Sequence, residues 1–320
     1  MGGRGMAGAN TSRIAGSFPA PNACFRSQLR ACPLLFRPVI RHLRPVIVAC
    51  LLVAAFPRIA TADRASERAA EREREAKEEL IANASANSLT DAEKADGWRL
   101  LFDGKSAQGL RPVRNPNSGW KVDGGTLFLP KDIKQSGKVT GGDLASIEQF
   151  TDFEFAFQWK LSVSGNTGVL YLARAAIGQK PTGCEYQIID DVHHPEGLKG
   201  GPLCRTGALN TVIPPAEDKL VNPPDKWNSG KVTVLGSHVE HWLNGAKVLE
   251  YDLGSQALQK AIVTNKARVP MGFGTKFKSP IVILDEGEEV AFRGLKVRVL
   301  APPVAAPAPV PQPPAPLPPQ

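Results

Sequence analysis

The sequence predicts an all-β fold built as a two-sheet sandwich, and three observations carry that expectation. The stretch DFEFAFQWKLS, residues 152–162, puts Phe153, Phe155, Phe157, Trp159 and Leu161 on one face and Glu154, Ala156, Gln158 and Lys160 on the other. That is the period of two of a half-buried strand, and no helix produces it. The stretch VTVLGSHVEHWLNGAKVLEYD contains two such runs joined at Asn244-Gly245, the preferred pair for a two-residue hairpin turn. Further short runs with Gly or Asp punctuation, WKVDGGTLFLP, GVLYLARA, PIVILDEG and VAFRGLKVRVL, add strands, while SQALQKAI near residue 255 is the one segment of the domain that reads as a helix. Many short strands with few helices favour two packed sheets, apolar faces inward and polar faces outward.

Composition divides the rest of the chain. Residues 1–62 hold eight arginines and no Asp, Glu or Lys, and they lead into the apolar run VIVACLLVAAF and then PRIATAD. A basic region, a short apolar stretch and Ala60-Thr61-Ala62 form the pattern of an export signal cleaved after Ala62. The apolar run is shorter than the roughly 20 residues of a membrane span, so no span is expected after cleavage. The charged, Ala-rich stretch DRASERAAEREREAKEEL then favours a helix without a sustained apolar stripe, read as a solvated spacer over 63–87. Residues 88–300 form the domain. The Pro-Ala stretch 301–320 buries nothing and is expected to be a disordered tail. This organisation places the domain in the periplasm or outside the cell.

The division also changes the meaning of charge. The whole chain has 39 basic and 31 acidic residues and a net charge of +8. All of that excess lies in the leader, so the remainder is formally neutral and nucleic-acid binding loses its main support. Three of the five cysteines also fall in the leader, leaving Cys184 and Cys204 as either one disulfide or two free thiols. No CxxC or other metal-ligand spacing occurs. His238 and His241 are three apart in a strand and point to opposite faces, so they do not share a metal.

The stretch TGCEYQIIDD, residues 182–191, is the most informative. As a strand it places Glu185, Gln187 and Ile189 on one face and Cys184, Tyr186, Ile188 and Asp190 on the other. A core strand does not need those carboxylates. They fit a concave sheet face or its rim, holding a polar ligand; a solvated polar face is the competing reading.

Five segments, GWRLLFDGKS, GDLASIEQFTDFEFAFQWKLSVSGNTGVLY, TGCEYQIIDDVHHPEG, KWNSGKVTVLGSHVEHWLNGAKVLEYD and ILDEGEEVAFRGLKVRVL, occur in an order and spacing that resemble the 3-keto-disaccharide hydrolase family. The resemblance spans essentially residues 88–300. It implies a concanavalin A-like lectin/glucanase jelly roll and an unusual cleavage of a glycosidic bond. An upstream sugar 3-oxidoreductase places a ketone at C3, a base removes the acidified C2 proton, the leaving group departs from C1, and water adds to the enone. Such chemistry needs a base, an acid and donors for the enolate oxygen, and not the paired carboxylates of ordinary glycosidases. No cofactor is implied, and a need for a divalent metal is left open.

Against that chemistry Glu185 is the candidate base or acid, with Gln187 orienting sugar hydroxyls. Asp190 and His194, in DDVHHP, match an Asp followed by His-Pro in the family, although Asp also caps turns. Asp285 and Glu286 belong to a closing motif that in the family typically reads Gln-Asp-His-Gly; here it is Leu284, Asp285, Glu286 and Gly287. If the usual His contributes proton transfer, Glu286 must replace it or the activity is altered. Lys160, Arg205, Trp227 and Arg293 are candidate substrate contacts, although Trp227 and Trp242, as strand aromatics, fit core or rim packing better than stacking on sugar rings. GPLCRTGAL has no helix after it and is not a phosphate loop. Three functions follow: an exported 3-keto-glycoside hydrolase or lyase, a carbohydrate-binding module without turnover, or a cell-envelope interaction protein.

Overall fold

A computed structural model describes residues 57–116, 118–131 and 142–301. The expected export signal up to residue 56 and the Pro-rich tail lie outside those residues. Thirteen described strands form two antiparallel sheets, a jelly-roll sandwich of the kind the periodicity required. One sheet has β11 (Ala246–Asp252), β10 (His238–Leu243), β9 (Asn228–Leu235), β6 (Phe153–Leu161), β13 (Val290–Val299), β4 (Thr126–Leu129) and β3 (Lys121–Asp123) in that order, with β1 (Trp98–Leu100) also on β13. The other runs β2 (Leu110–Pro112), β5 (Leu144–Ser146), β12 (Val282–Ile283), β7 (Asn166–Arg174) and β8 (Thr182–Ile189).

The alternation in β6 is realised as expected. Phe153, Phe155, Phe157, Trp159 and Leu161 are all at most 2% exposed and meet Tyr171, Tyr186, Ile188 and Phe292 between the sheets. At the β10–β11 hairpin Asn244 and Gly245 both take positive φ, 48° and 85°, which a type I′ turn demands. The core carries one polar chain. His241 Nε2 lies 2.7 Å from the Tyr171 hydroxyl, which lies 2.9 Å from that of Tyr251, while His241 Nδ1 faces the Gly207 carbonyl at 2.9 Å. Burial presses the His241 pKa down to about 4, so it is a neutral core histidine.

The four described helices are α1 (Pro57–Ala86), α2 (Asp91–Ala95), α3 (Pro195–Gly200) and α4 (Gln256–Thr264). None is long and apolar enough to cross a membrane. α4 is the helix expected at SQALQKAI, capped by Ser255 accepting from Leu258 N. α1 departs from a solvated spacer at its C-terminal end. Residues 64–82 are exposed, but Asn83 and Asn87 are buried. Asn83 Nδ2 donates to the Gly124 carbonyl and Asn87 Nδ2 to that of Gly125, while Asn87 Oδ1 accepts from Gly294 N at 2.8 Å. These side chains fasten the helix end to the outer face of the eight-stranded sheet.

Candidate active site

The candidate side chains come from β8 and from three segments laid over it. Cys184, Tyr186 and Ile188 turn into the core, so Glu185 and Gln187 must face outward from the five-stranded sheet. β8 is not a bare edge, because the following loop pairs with it: Gln187 N donates to the Ala208 carbonyl, Gly207 N to that of Gln187, and Asn210 N to that of Glu185. On the other side β7 supplies Gly168. A Cβ there would lie 2.6 Å from Glu185 Oε1, so the carboxylate occupies space that any other residue would fill.

Around Glu185 the polar groups are sparse and specific. Gln187 is 2% exposed; its Nε2 donates to Asn166 Oδ1 at 3.2 Å, while its Oε1 has no partner among the described residues. Asn166 Nδ2 donates to Glu196 Oε2 at 3.3 Å. Burial pushes the Glu185 pKa up to about 7; the Asn210 side chain and Lys180 oppose it, and the Glu286 and Glu196 carboxylates reinforce it. Desolvation also raises Glu286, as does Asp143, against Lys180 and Arg114. Asp143 is itself raised by burial although Arg114 Nε lies 3.2 Å away. This face therefore brings together carboxyls whose pKa values burial raises, Glu185 to about 7, with Lys180 and Arg114 as the cations that reach them. One can act as a base while a neighbour stays protonated.

Several expected site residues have other work. Asp285 is an anchor: its Oδ2 accepts from Gly142 N and its Oδ1 from Gly287 N, both at 2.8 Å, holding the loop that presents Glu286. Asp190 is a turn cap. It accepts from Ser164 N, Val192 N and His193 N, and His193 Nδ1 lies 2.8 Å from its Oδ2. Burial alone would raise its pKa, but these bonds hold it below the usual range. His194 caps α3, its Nδ1 accepting from Glu196 N.

Lys160, Trp227 and Arg293 lie on the wrong sheet for the expected site. They share the outer face of the eight-stranded sheet, with the whole sandwich between them and Glu185. Lys160 pairs with Glu79 of α1 at 2.7 Å, and Arg293 donates to Gln158 and Asn83. Both cations lie over the Trp227 ring, at 5.1 and 4.0 Å from its centroid. Arg205 is exposed, near the Lys219–Asp191 pair.

The disulfide does not form. Cys184 and Cys204 are both free, since Cys184 turns inward to Tyr251 while Cys204 lies on the outer side near Glu196 and Glu185. Among the described residues, one grouping has metal-ligand compactness, His238, Glu240 and Glu250 on the far sheet, and there Lys247 already bonds both carboxylates.

The structure brings Glu185, Gln187 and Glu286 to one face, and with them Asn166, Gly168, Lys180, Glu196, Asp143 and Arg114, which the sequence did not single out. One signal was available: a glycine inside a strand pattern, GNTGVLY, marks a close approach.

Residues 97–298 match the family model described as the 3-keto-alpha-glucoside-1,2-lyase-like domain. The chain belongs to that family. A curated relative, the 3-keto-disaccharide hydrolase of Bacteroides thetaiotaomicron, is 30% identical over 241 residues, which cover 68% of this chain and 83% of the relative. A crystal structure from Parabacteroides distasonis, of a protein provisionally assigned as a glycosyl hydrolase, is 30% identical with a TM-score of 0.60, covering 67% of this chain and 99% of that one. A second from the same organism, at 24% identity and a TM-score of 0.50, covers 63% and 99% and shares the fold. Family and relative support a glycoside hydrolase-type function.

Proposed function

We propose that this is an exported enzyme that cleaves 3-keto-disaccharides or 3-keto-glucosides by proton abstraction, elimination and hydration. The observation that carries the reading is Glu185, a carboxyl lodged over Gly168 with a pKa of about 7. A base of that strength is divided between its two forms at neutral pH, as proton transfer to and from carbon requires.

The Glu185 carboxylate takes the proton from C2, and the electron pair moves onto the C3 oxygen as an enolate. Lys180 is the cation placed to stabilise that charge. The enolate re-forms the ketone as the C1–O bond breaks, and Glu286, whose pKa burial raises, acts as the acid that gives the leaving oxygen a proton. Water then adds across C1=C2: its hydroxyl goes to C1 as the Glu286 carboxylate takes its proton, and Glu185 returns its proton to C2. Gln187 Oε1 accepts from a sugar hydroxyl. No oxidant is consumed, so the ketone comes from a separate sugar 3-oxidoreductase.

Incubation of the purified chain with a 3-keto-glucoside and with its unoxidised parent, following aglycone release, tests the proposal. Turnover is expected for the oxidised sugar alone. Equal cleavage of both would indicate ordinary hydrolysis. Binding without turnover would make the protein a carbohydrate-binding module, the outcome that Glu286 in place of the family's usual His would explain. N-terminal sequencing of exported material beginning near Asp63 tests the export step.

A further inference from the structure

A cavity lies at the far end of β8, where the DDVHHP turn meets the loop over residues 221–224. It measures about 200 Å³, and its walls include Trp159, Leu161, Ile189, Val192, Val221 and Pro223. Glu185 is four residues back along β8, ~13 Å at the rise of a strand.

Asp190, Asp191 and Asn222 on its wall are already committed to protein. Asp190 accepts from Ser164 N of the β6–β7 loop and from Val192 N and His193 N of the turn it caps, with His193 Nδ1 at 2.8 Å, and Asp191 accepts from Thr206 N and Lys219. Asn222 donates its backbone N–H to Asn228 Oδ1 and its Nδ2 to the Trp227 carbonyl. Trp159 is the exception. It is 2% exposed, and its indole N–H has no partner among the described residues. A buried donor left unpaired is costly, so its persistence calls for an acceptor.

Water is a poor candidate, since a held water needs two to four polar partners. An apolar cavity of about 150 Å³ is enough to take benzene, so this one suits a single substituted ring. Asp190 and Asp191 would repel an anion. The geometry points to a second small-molecule site, separate from the Glu185 face, that takes one uncharged aromatic ring bearing a phenolic or aryl-ether oxygen, which accepts from Trp159 Nε1.

The probe is 4-methoxyphenol, followed on the full chain by saturation-transfer NMR and titration calorimetry. Val192, 66% exposed on the rim, provides the blocking variant. Val192→Trp is expected to weaken binding at least about 10-fold while leaving the fold unchanged. Trp159→Phe keeps the ring and removes the donor; it should weaken binding about 3- to 10-fold, the worth of one net hydrogen bond. Glu185→Gln should bind the probe as the unmodified chain does. Absence of binding at millimolar probe overturns the proposal. So does binding that survives Val192→Trp, or that disappears in Glu185→Gln. If Trp159→Phe does not fold, the Val192→Trp comparison decides alone.

Discussion

The two outer faces of the sandwich both carry glutamates that are partly or fully withdrawn from water, and they treat them in opposite ways. On the eight-stranded sheet Glu154 is 7% exposed, yet Arg298 and Lys231 bond it, and these contacts outweigh burial and hold its pKa below the usual range. Lys296 does the same for Glu93, and Lys160 for Glu79. On the five-stranded sheet Glu185 has an amide and a glycine where Glu154 has two cations, and its pKa rises to about 7. A matched carboxylate stabilises the fold, and an unmatched one is available for proton transfer. Burial alone does not distinguish structure from chemistry; the partners do.

The largest expected effect breaks the comparison at its two poles. Glu185→Gln keeps shape and hydrogen bonding but removes the proton carrier, and turnover on a 3-keto-glycoside should fall about 10² to 10⁴-fold with little loss of stability. Glu154→Gln should leave turnover near normal and cost about 1–3 kcal/mol, because Arg298 and Lys231 lose a charged partner. Steady-state kinetics and denaturant melts on both variants check the pair. Reversed outcomes would assign the faces the other way.

The pH dependence of stability sharpens the same contrast. His241 has a folded pKa of about 4, so between 4 and its unfolded value near 6.5 the unfolded chain binds the extra proton. Stability therefore falls as pH falls through that window, by about 3 kcal/mol for a shift of this size. Glu185 is opposite: its folded pKa of about 7 exceeds the unfolded 4.5, so the folded chain binds the extra proton there and stability falls as pH rises from 4.5 to 7. The two oppose each other between 4.5 and 6.5. Denaturant melts on the unmodified chain should be nearly level there, and Glu185→Gln should expose the acid loss due to His241. A Glu185→Gln profile as level as the parent's would show that Glu185 is not raised.

A smaller loss is expected from Gly168→Ala. The new Cβ would stand 2.6 Å from Glu185 Oε1, and the flexible end of the glutamate must yield. A displacement of about 1 Å in a catalytic group can cost 10²-fold, so turnover should drop about 10- to 100-fold with a melting temperature near that of the parent. Unchanged kcat would mean that the carboxylate does not work from its position over Gly168.

What the sequence made legible follows from what periodicity can carry. The alternation in residues 152–162 fixed which face of β6 is buried, and the Asn244-Gly245 pair fixed a hairpin, because both are local. Glu185 and Gln187 were legible as one outward face for the same reason. Lys160, Trp227 and Arg293 were placed with them wrongly, since alternation says that a side chain points outward but not from which of two sheets. Asn83 and Asn87 were unreadable as anchors, because an amide bonding the backbone of Gly124 and Gly125 leaves no pattern in the helix that bears it. Asp190 and His194 stood in a motif whose residues cap a turn and a helix, which is the local chemistry Asp and His also serve.

The smallest expected effect concerns the two thiols, and it tests the orientation of β8 on which the whole comparison rests. Cys184 and Glu185 are adjacent, so they must point to opposite faces. Cys184 lies inside, where burial pushes its pKa up to about 11, and Cys204 lies on the outer side, where burial and the carboxylates of Glu196 and Glu185 also raise it. A bridge closing that loop would add roughly 3 kcal/mol; without one, reductant should leave the melting temperature unchanged. Alkylation of the native domain at neutral pH should be slow at Cys204 and undetectable at Cys184, since the thiolate is the reactive form. Denaturation without reductant should then make both available, as mass spectrometry would show. A reductant-sensitive melting temperature would place Cys184 on the outer side with Cys204, and Glu185 would then have to face the core.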